Sequence, residues 1–139
     1  MVKVDVVSRK VARASAWVND AEEILSQPAE EFLSDVKSRD LATFYLFLGI
    51  QECIDLAAHW VSDAGWDVPD DAGATFDLLA THGALDHSLA LVLRGAVGLR
   101  NRIAHGYASV DHPRVHDEYR GGVEALRRFL SLVSSEAGM

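Results

Sequence analysis

Cysteine is nearly absent from this sequence, which has Cys53 alone among its 139 residues. One thiol excludes a disulfide framework and a zinc site built from several cysteines. Cys53 lies within an apolar helical stretch, so we interpret it as a small buried hydrophobic residue and not as a nucleophile.

Long hydrophobic runs are also missing. Although 49% of the residues are hydrophobic, no uninterrupted apolar stretch approaches the roughly 18 residues of a membrane span. The acidic Asp5 interrupts the apolar segment near the N-terminus, which speaks against a signal peptide. The length suits one hydrophobic core, so we expect a single domain over residues 1–139, located in the cytoplasm and not in a membrane.

Positive charge is scarce, since 13 Lys and Arg residues face 21 Asp and Glu residues for a net charge of −8. That balance speaks against a general nucleic-acid coat protein, whose affinity comes from neutralising phosphates. No acidic residue lies between Asp86 and Asp111, however, and Arg94, Arg100 and Arg102 all lie in this gap. The chain therefore keeps one positive segment, although Arg94 fits a solvated arginine face equally well.

The period-two alternation typical of strands is absent, and apolar residues recur every three or four positions, as on helices. Pro28 ends the first such helix, and a short amphipathic piece follows over residues 29–36. We expect Ser38 to cap a second long helix that ends near Gly65. The apolar seam of the first helix consists of Val4, Val7, Val11, Ala14, Val18, Ala21 and Leu25.

Residues 41–50 of the second helix are apolar on nearly every side, so this helix is either central or partly covered by a second subunit. A short helix over residues 75–81 and a longer one over residues 86–104 follow. Residues 111–113 open the final helix. We predict an all-α, single-domain bundle of four to five main helices.

The most informative segment, residues 100–107, places Arg100, His105 and Tyr107 around one helix end. An arginine binds phosphate oxygens in a fork, and a histidine exchanges protons near neutral pH, so the pair suits phosphate chemistry without a metal. Residues five apart diverge by about 140° on an α-helix. Either the helix breaks near Gly106, or the two groups come from opposite chains of a dimer. Asn101, four residues before His105, is placed to orient its ring.

The pattern Arg100-x4-His105-x-Tyr107, with Asn101 after the arginine, resembles the signature of the HEPN superfamily, and in particular the HepT-like toxins of prokaryotic toxin–antitoxin pairs. The order of other features is also similar to that family. These features are Asp55 and His59 on the second long helix, the loop proline Pro69, and Phe76 with Leu79.

This resemblance implies a homodimeric endoribonuclease that needs neither metal nor cofactor. His105 would act as general base or general acid on RNA, and Arg100 would stabilise charge on the phosphorane. The products would be a 2′,3′-cyclic phosphate and a 5′-hydroxyl, and DNA would be spared because it lacks the 2′-hydroxyl. The implied partner is a minimal nucleotidyltransferase antitoxin that adds AMP to Tyr107 and so blocks the cationic site.

Each site residue also has a purely structural interpretation. Arg100 fits an ion pair with a carboxylate such as Asp55, and His105 fits a helix end that it stabilises through the macrodipole. Asp55 and His59 form either a polar pair beneath the motif or an ordinary intrahelical pair. Arg102 faces the cleft or the surface.

A second pair of residues resembles half a metal site. These are His112 and His116, four positions apart, but no third ligand is evident and we interpret them as surface residues. The competing functional class is a non-catalytic HEPN module that binds or recruits a nucleotidyltransferase. An unshielded arginine beside a histidine at a helix end argues for the nuclease.

Overall fold

A computed structural model describes residues 4–139 as a bundle of six α-helices, with no strand in that part of the chain. The helices are α1 (Val4–Leu25), α2 (Ala29–Ser34), α3 (Val36–Asp63), α4 (Ala72–Thr81), α5 (His87–His105) and α6 (His112–Glu136). A short 3-10 turn, Tyr107–Ser109, joins α5 to α6. The predicted all-α class is therefore confirmed, and α2, with six residues, is the one helix too short to count as a main element.

The central element is α3, which packs against each of the other five helices. By length and composition it is apolar enough to cross a membrane, but 44% of its most apolar window is buried inside the bundle. A core helix of a globular protein passes the same test. Three large apolar side chains of α3, Val36, Leu41 and Phe44, remain exposed, at 52%, 43% and 51%.

The core is closed by aromatic residues from several helices. Phe129 of α6 meets Phe76 of α4 edge to face, with ring centroids 5.2 Å apart, and lies 6.3 Å from the ring of Trp60 on α3. Helix α1 packs closely on α3 at Gly49, where an added Cβ would lie 3.0 Å from Val18 Cγ2. These contacts hold α3 against α1 and α6, and α3 in turn packs against α5, which carries the motif.

The predicted cap of α3 was wrong. The helix begins at Val36, and its N-cap is Asp35, whose carboxylate accepts the backbone N–H of Ser38 at 3.2 Å. Ser38 lies inside the helix and donates its hydroxyl to the same carboxylate at 2.8 Å. An ionised oxygen accepts N–H groups more strongly than a hydroxyl, so the acidic residue takes the cap.

Candidate active site at the end of the fifth helix

Helix α5 continues without a break through His105. The Gly106 N–H donates to the Arg102 carbonyl at 2.9 Å, and Gly106 itself is extended, with φ −166°. The helix ends at Gly106, its C-cap, without the left-handed backbone that is common at glycine helix ends. The chain instead turns through Tyr107–Ser109, where the Ser109 hydroxyl donates to the Gly106 carbonyl at 2.6 Å.

Because α5 is continuous, Arg100 and His105 point in different directions. Arg100 lies on the side that carries the buried Leu93 and Val97, facing α3, and is half-buried. His105 is exposed at the end of the helix. Of the two arrangements that the sequence left open, the structure does not contain the break that would bring both groups of one chain together.

The guanidinium group of Arg100 is held by a neutral amide. Its Nη1 donates to Gln51 Oε1 of α3 at 3.0 Å, and Gln51 Nε2 donates to Asp55 Oδ1 at 3.2 Å. Arg100 Nε is buried without a hydrogen-bond partner among the described residues. Asp55 therefore contacts Arg100 only through Gln51, and the ion pair between Arg100 and Asp55 that the sequence allowed is not formed.

A buried cation normally has a carboxylate partner, because burial removes the water that would otherwise stabilise its charge. Within residues 4–139, Arg100 takes part in no ion pair. Arg94, by contrast, pairs with Asp77 of α4. The positive charge of Arg100 thus remains available to an anion from outside the chain.

Of the other predicted residues of this region, Asn101, Arg102 and His59 are exposed, and Asp55 is half-buried. Within the described part of the chain, neither a hydrogen bond from Asn101 to His105 nor one from Asp55 to His59 is present. Arg102 lies at the edge of a groove of about 600 Å³ between α3, α5 and α6. The proposed supporting roles of Asn101, Arg102 and His59 therefore rest on position and not on a hydrogen bond.

Tyr107 is tied to the start of α3. Its hydroxyl donates to Asp40 Oδ1, and its ring, 36% exposed, meets His112 edge to face at 5.5 Å. The hydrogen bond from Tyr107 lowers the pKa of Asp40 below its ordinary range. Burial, together with the charge of Asp40, raises the pKa of Tyr107.

The sequence analysis did not identify Asp40 and Gln51 as residues of the site. They lie 67 positions from Tyr107 and 49 from Arg100, and only the packing of the helices brings them to the motif. Both are on one face of α3, since their spacing of 11 residues is close to three helical turns. The sequence signal that could have found them is the recurrence of a polar residue at this spacing, on one face of a largely apolar helix.

No metal site is formed in residues 4–139, which hold no cluster of three or more His, Cys, Asp and Glu side chains suited to an ion. His116 Nε2 lies 2.7 Å from the Gln27 carbonyl oxygen, and His112 packs on Tyr107. Burial lowers the pKa of His112. Cys53 is fully buried, and burial raises the pKa of its thiol, in line with a hydrophobic role.

Comparison with known proteins adds the family. The model of the family described as "Ribonuclease HepT-like" matches residues 16–133. The chain belongs to this family. The mRNA nuclease HepT of Shewanella oneidensis is 23% identical over 132 residues, which is 95% of this chain and 98% of that protein. A relative from Archaeoglobus fulgidus is 33% identical over 91 residues, or 65% of this chain and 68% of its own length.

A solved structure has the same HepT-like fold. It is the tri-AMPylated HEPN toxin of Shewanella oneidensis in complex with an MNT antitoxin, and its toxin chain matches with a TM-score of 0.86 at 21% identity, covering 97% of this chain and 99% of that one. At this identity the match concerns the fold. The HepT-like resemblance predicted from Arg100, His105 and Tyr107 is confirmed at the level of the family, which is one of ribonucleases.

Proposed function

We propose that this HepT-like ribonuclease is the toxin of a cytoplasmic toxin–antitoxin pair and cleaves RNA without a metal. The observation that carries the proposal is the half-buried Arg100, held by the neutral Gln51 and left without a carboxylate among the described residues. Because Arg100 is already partly shielded from water and has no carboxylate partner, it can bind a phosphodiester with little further desolvation of its guanidinium group.

In this proposal, two chains form one cleft. The continuous α5 separates Arg100 from His105 of the same chain by about 140° around the helix axis, so a phosphate meets Arg100 of one chain and His105 of the other. Phe44, 51% exposed, lies on the same face of α3 as Asp40 and Gln51, the two residues that hold the motif. A second subunit covering Phe44 would lie directly beside the motif.

The chemistry is a transesterification within the RNA strand. His105 of one chain removes the proton of the ribose 2′-hydroxyl, whose oxygen attacks the adjacent phosphorus while the bond to the 5′-oxygen breaks. Arg100 stabilises the extra negative charge on the phosphorane, and the leaving 5′-oxygen takes a proton from water. The products are a 2′,3′-cyclic phosphate and a 5′-hydroxyl, and DNA is not cleaved.

The proposed partner is a minimal nucleotidyltransferase antitoxin that transfers AMP to Tyr107. The similar toxin of Shewanella oneidensis is tri-AMPylated in its complex with an MNT antitoxin. Tyr107 is partly exposed and follows His105 by two residues. Each added AMP therefore places a phosphate charge and a nucleoside next to the catalytic histidine, which obstructs RNA.

The test is cleavage of single-stranded RNA by the purified chain, free of antitoxin, in the presence of EDTA. We expect cleavage with cyclic phosphate ends, a loss of at least about 10²-fold in His105→Ala and in Arg100→Ala, and no cleavage of the matching DNA. Arg94→Ala is the matched control, because Arg94 is an arginine of the same helix that is already paired with Asp77.

Circular dichroism of each variant establishes that the helical fold is kept. If the wild-type chain leaves RNA intact but binds a nucleotidyltransferase tightly, the non-catalytic module is the correct interpretation. Inhibition by EDTA would overturn the metal-independent mechanism.

A further inference from the structure

The hydroxyl group of Tyr107 lies in a cluster of charged groups that the family motif does not contain. Asp40 Oδ1 accepts the Tyr107 hydroxyl and also accepts Arg39 Nε and Nη2, at 3.2 Å each. The ring of His112 covers Tyr107 from α6. Three elements, α3, the 3-10 turn and α6, thus meet at Tyr107, and α3 supplies the carboxylate at its hydroxyl.

The direction of the central hydrogen bond matters for chemistry. An ionised carboxylate can only accept, so the phenol hydrogen points at Asp40 and the lone pairs of the oxygen point elsewhere. An aspartate that accepts the hydrogen of a hydroxyl nucleophile is the arrangement by which kinases activate their substrate hydroxyl for attack on phosphorus. Here the carboxylate belongs to the protein that is modified.

We propose that Asp40 prepares Tyr107 as a nucleotide acceptor, by fixing the hydroxyl group and taking up its proton during transfer. The inference rests on the proposed modification of Tyr107 by a nucleotidyltransferase that supplies ATP. The phenol oxygen forms a bond to the α-phosphorus, the bond from that phosphorus to the bridging oxygen breaks, and pyrophosphate leaves with the electron pair. The phenol proton passes to the Asp40 carboxylate and then to water.

The surroundings of Asp40 fit this role. Arg39 neutralises it from its own helix, while Tyr107 and His112 face it from the turn and from α6, with Asp111 next to His112. The hydrogen bond of Tyr107 lowers the pKa of Asp40, so the carboxylate stays ionised and able to accept at neutral pH. The raised pKa of Tyr107 makes spontaneous ionisation of the phenol rarer and a proton acceptor more useful.

The experiment measures AMP incorporation at Tyr107 by the minimal nucleotidyltransferase encoded beside the chain, with magnesium and labelled ATP. Asp40→Asn keeps the shape and can still accept the hydroxyl, but it cannot take up the proton. We expect its kcat to fall about 10²-fold or more, with an unchanged KM for the toxin chain. Asp117→Asn, at an exposed carboxylate of α6, is the matched control and should behave as wild type.

The pH profile separates proton uptake from a merely structural role. The wild-type kcat should be nearly flat from pH 6 to 9, whereas in Asp40→Asn it should rise about tenfold per pH unit, because attack then requires the phenolate. Asp40→Glu should retain the flat profile at a reduced rate, and it keeps the test decisive if Asp40→Asn folds poorly.

The outcomes distinguish the two proposals. If the wild-type chain accepts no AMP, or if Tyr107→Phe accepts as much as the wild type, both the proposed regulation and the role of Asp40 are overturned. If Tyr107 is modified but Asp40→Asn matches the wild type in kcat and pH profile, only the role of Asp40 is overturned.

Discussion

At the scale of single residues, the positive charge of the site is preserved because the side chain that holds Arg100 is neutral. Gln51 satisfies one guanidinium nitrogen of Arg100 without cancelling its charge, and Asp55 fixes the Gln51 amide in turn. A carboxylate in place of Gln51 would form an ion pair and compete with RNA. The amide therefore orients the cation and leaves it free to bind an anion.

Replacing Gln51 tests this arrangement. Gln51→Met removes the hydrogen bond but keeps the volume, so a half-buried guanidinium loses its partner, and we expect the free energy of unfolding to fall by about 1–2 kcal/mol. RNA cleavage should fall roughly tenfold to hundredfold because Arg100 is no longer held in position. The double variant Gln51→Met, Arg100→Met should regain stability but not activity. Denaturant unfolding that finds the double variant no more stable than the single one would contradict this account.

The bond between Tyr107 and Asp40 predicts a pH dependence of stability. Because the folded protein lowers the pKa of Asp40 from its ordinary 3.8, the stabilisation is present above that value and is lost as the pH falls through the folded pKa. Wild type should therefore melt above Tyr107→Phe at pH 7, and the difference should shrink below about pH 4. Thermal melting at pH 7, 5 and 3 checks this, and a difference that stays constant would show that Asp40 is not involved.

At the scale of helices, the critical contact is the crossing of α1 and α3. A Cβ at Gly49 would lie 3.0 Å from Val18 Cγ2 and 3.7 Å from Trp17 Cβ, whereas nothing lies within 4 Å of one at Gly121 in α6. The two glycines thus have the same helical backbone in opposite surroundings. The absence of a side chain sets the α1–α3 distance at Gly49 only.

We expect Gly49→Ala to destabilise the protein relative to Gly121→Ala by about 1–3 kcal/mol. Both changes gain the same helix propensity, of about 1 kcal/mol, so the difference between them isolates the packing cost. Urea unfolding at equal protein concentration measures it. Equal stabilities would mean that Val18 moves aside without cost.

The helices could be predicted from the sequence because apolar spacing and helix ends are local signals. The buried residues of α1, from Val7 to Leu25, follow the predicted seam, although Val4 at its start is 49% exposed. The cap of α3 was misplaced because Asp35 and Ser38 are both good cap residues three positions apart. The motif of the site was visible as well, but its anchors, Asp40 and Gln51, depend on packing between distant segments that no local pattern encodes.

At the scale of the whole molecule, the main point is which chain of the proposed dimer supplies Arg100 and which supplies His105. Arg100 faces α3 and His105 is exposed at the end of an unbroken helix. In the proposed dimer each complete site takes one of these residues from each chain. A cleft of this kind and a site within one chain respond differently when inactive chains are mixed.

Mixing Arg100→Ala chains with His105→Ala chains should restore cleavage. Half of the dimers would contain both variants, and each of these has one complete pair contributed by opposite chains, so activity should reach roughly a quarter of the wild-type value after subunit exchange. RNA cleavage before and after exchange measures the recovery, and sedimentation confirms the dimer. No recovery in a mixture that demonstrably exchanges subunits would place the site within one chain.

Because α5 is unbroken, a complete site needs two chains, and this affects when RNA cleavage begins as the protein is made. In a shared cleft, and at concentrations below the dissociation constant of the dimer, the number of complete sites grows with the square of the amount of chain. Half the concentration of chain then gives a quarter of the complete sites, and so a quarter of the RNA cleavage. The first copies made from a message would be harmless by dilution alone, and a partner that recognises single chains would have that interval in which to act.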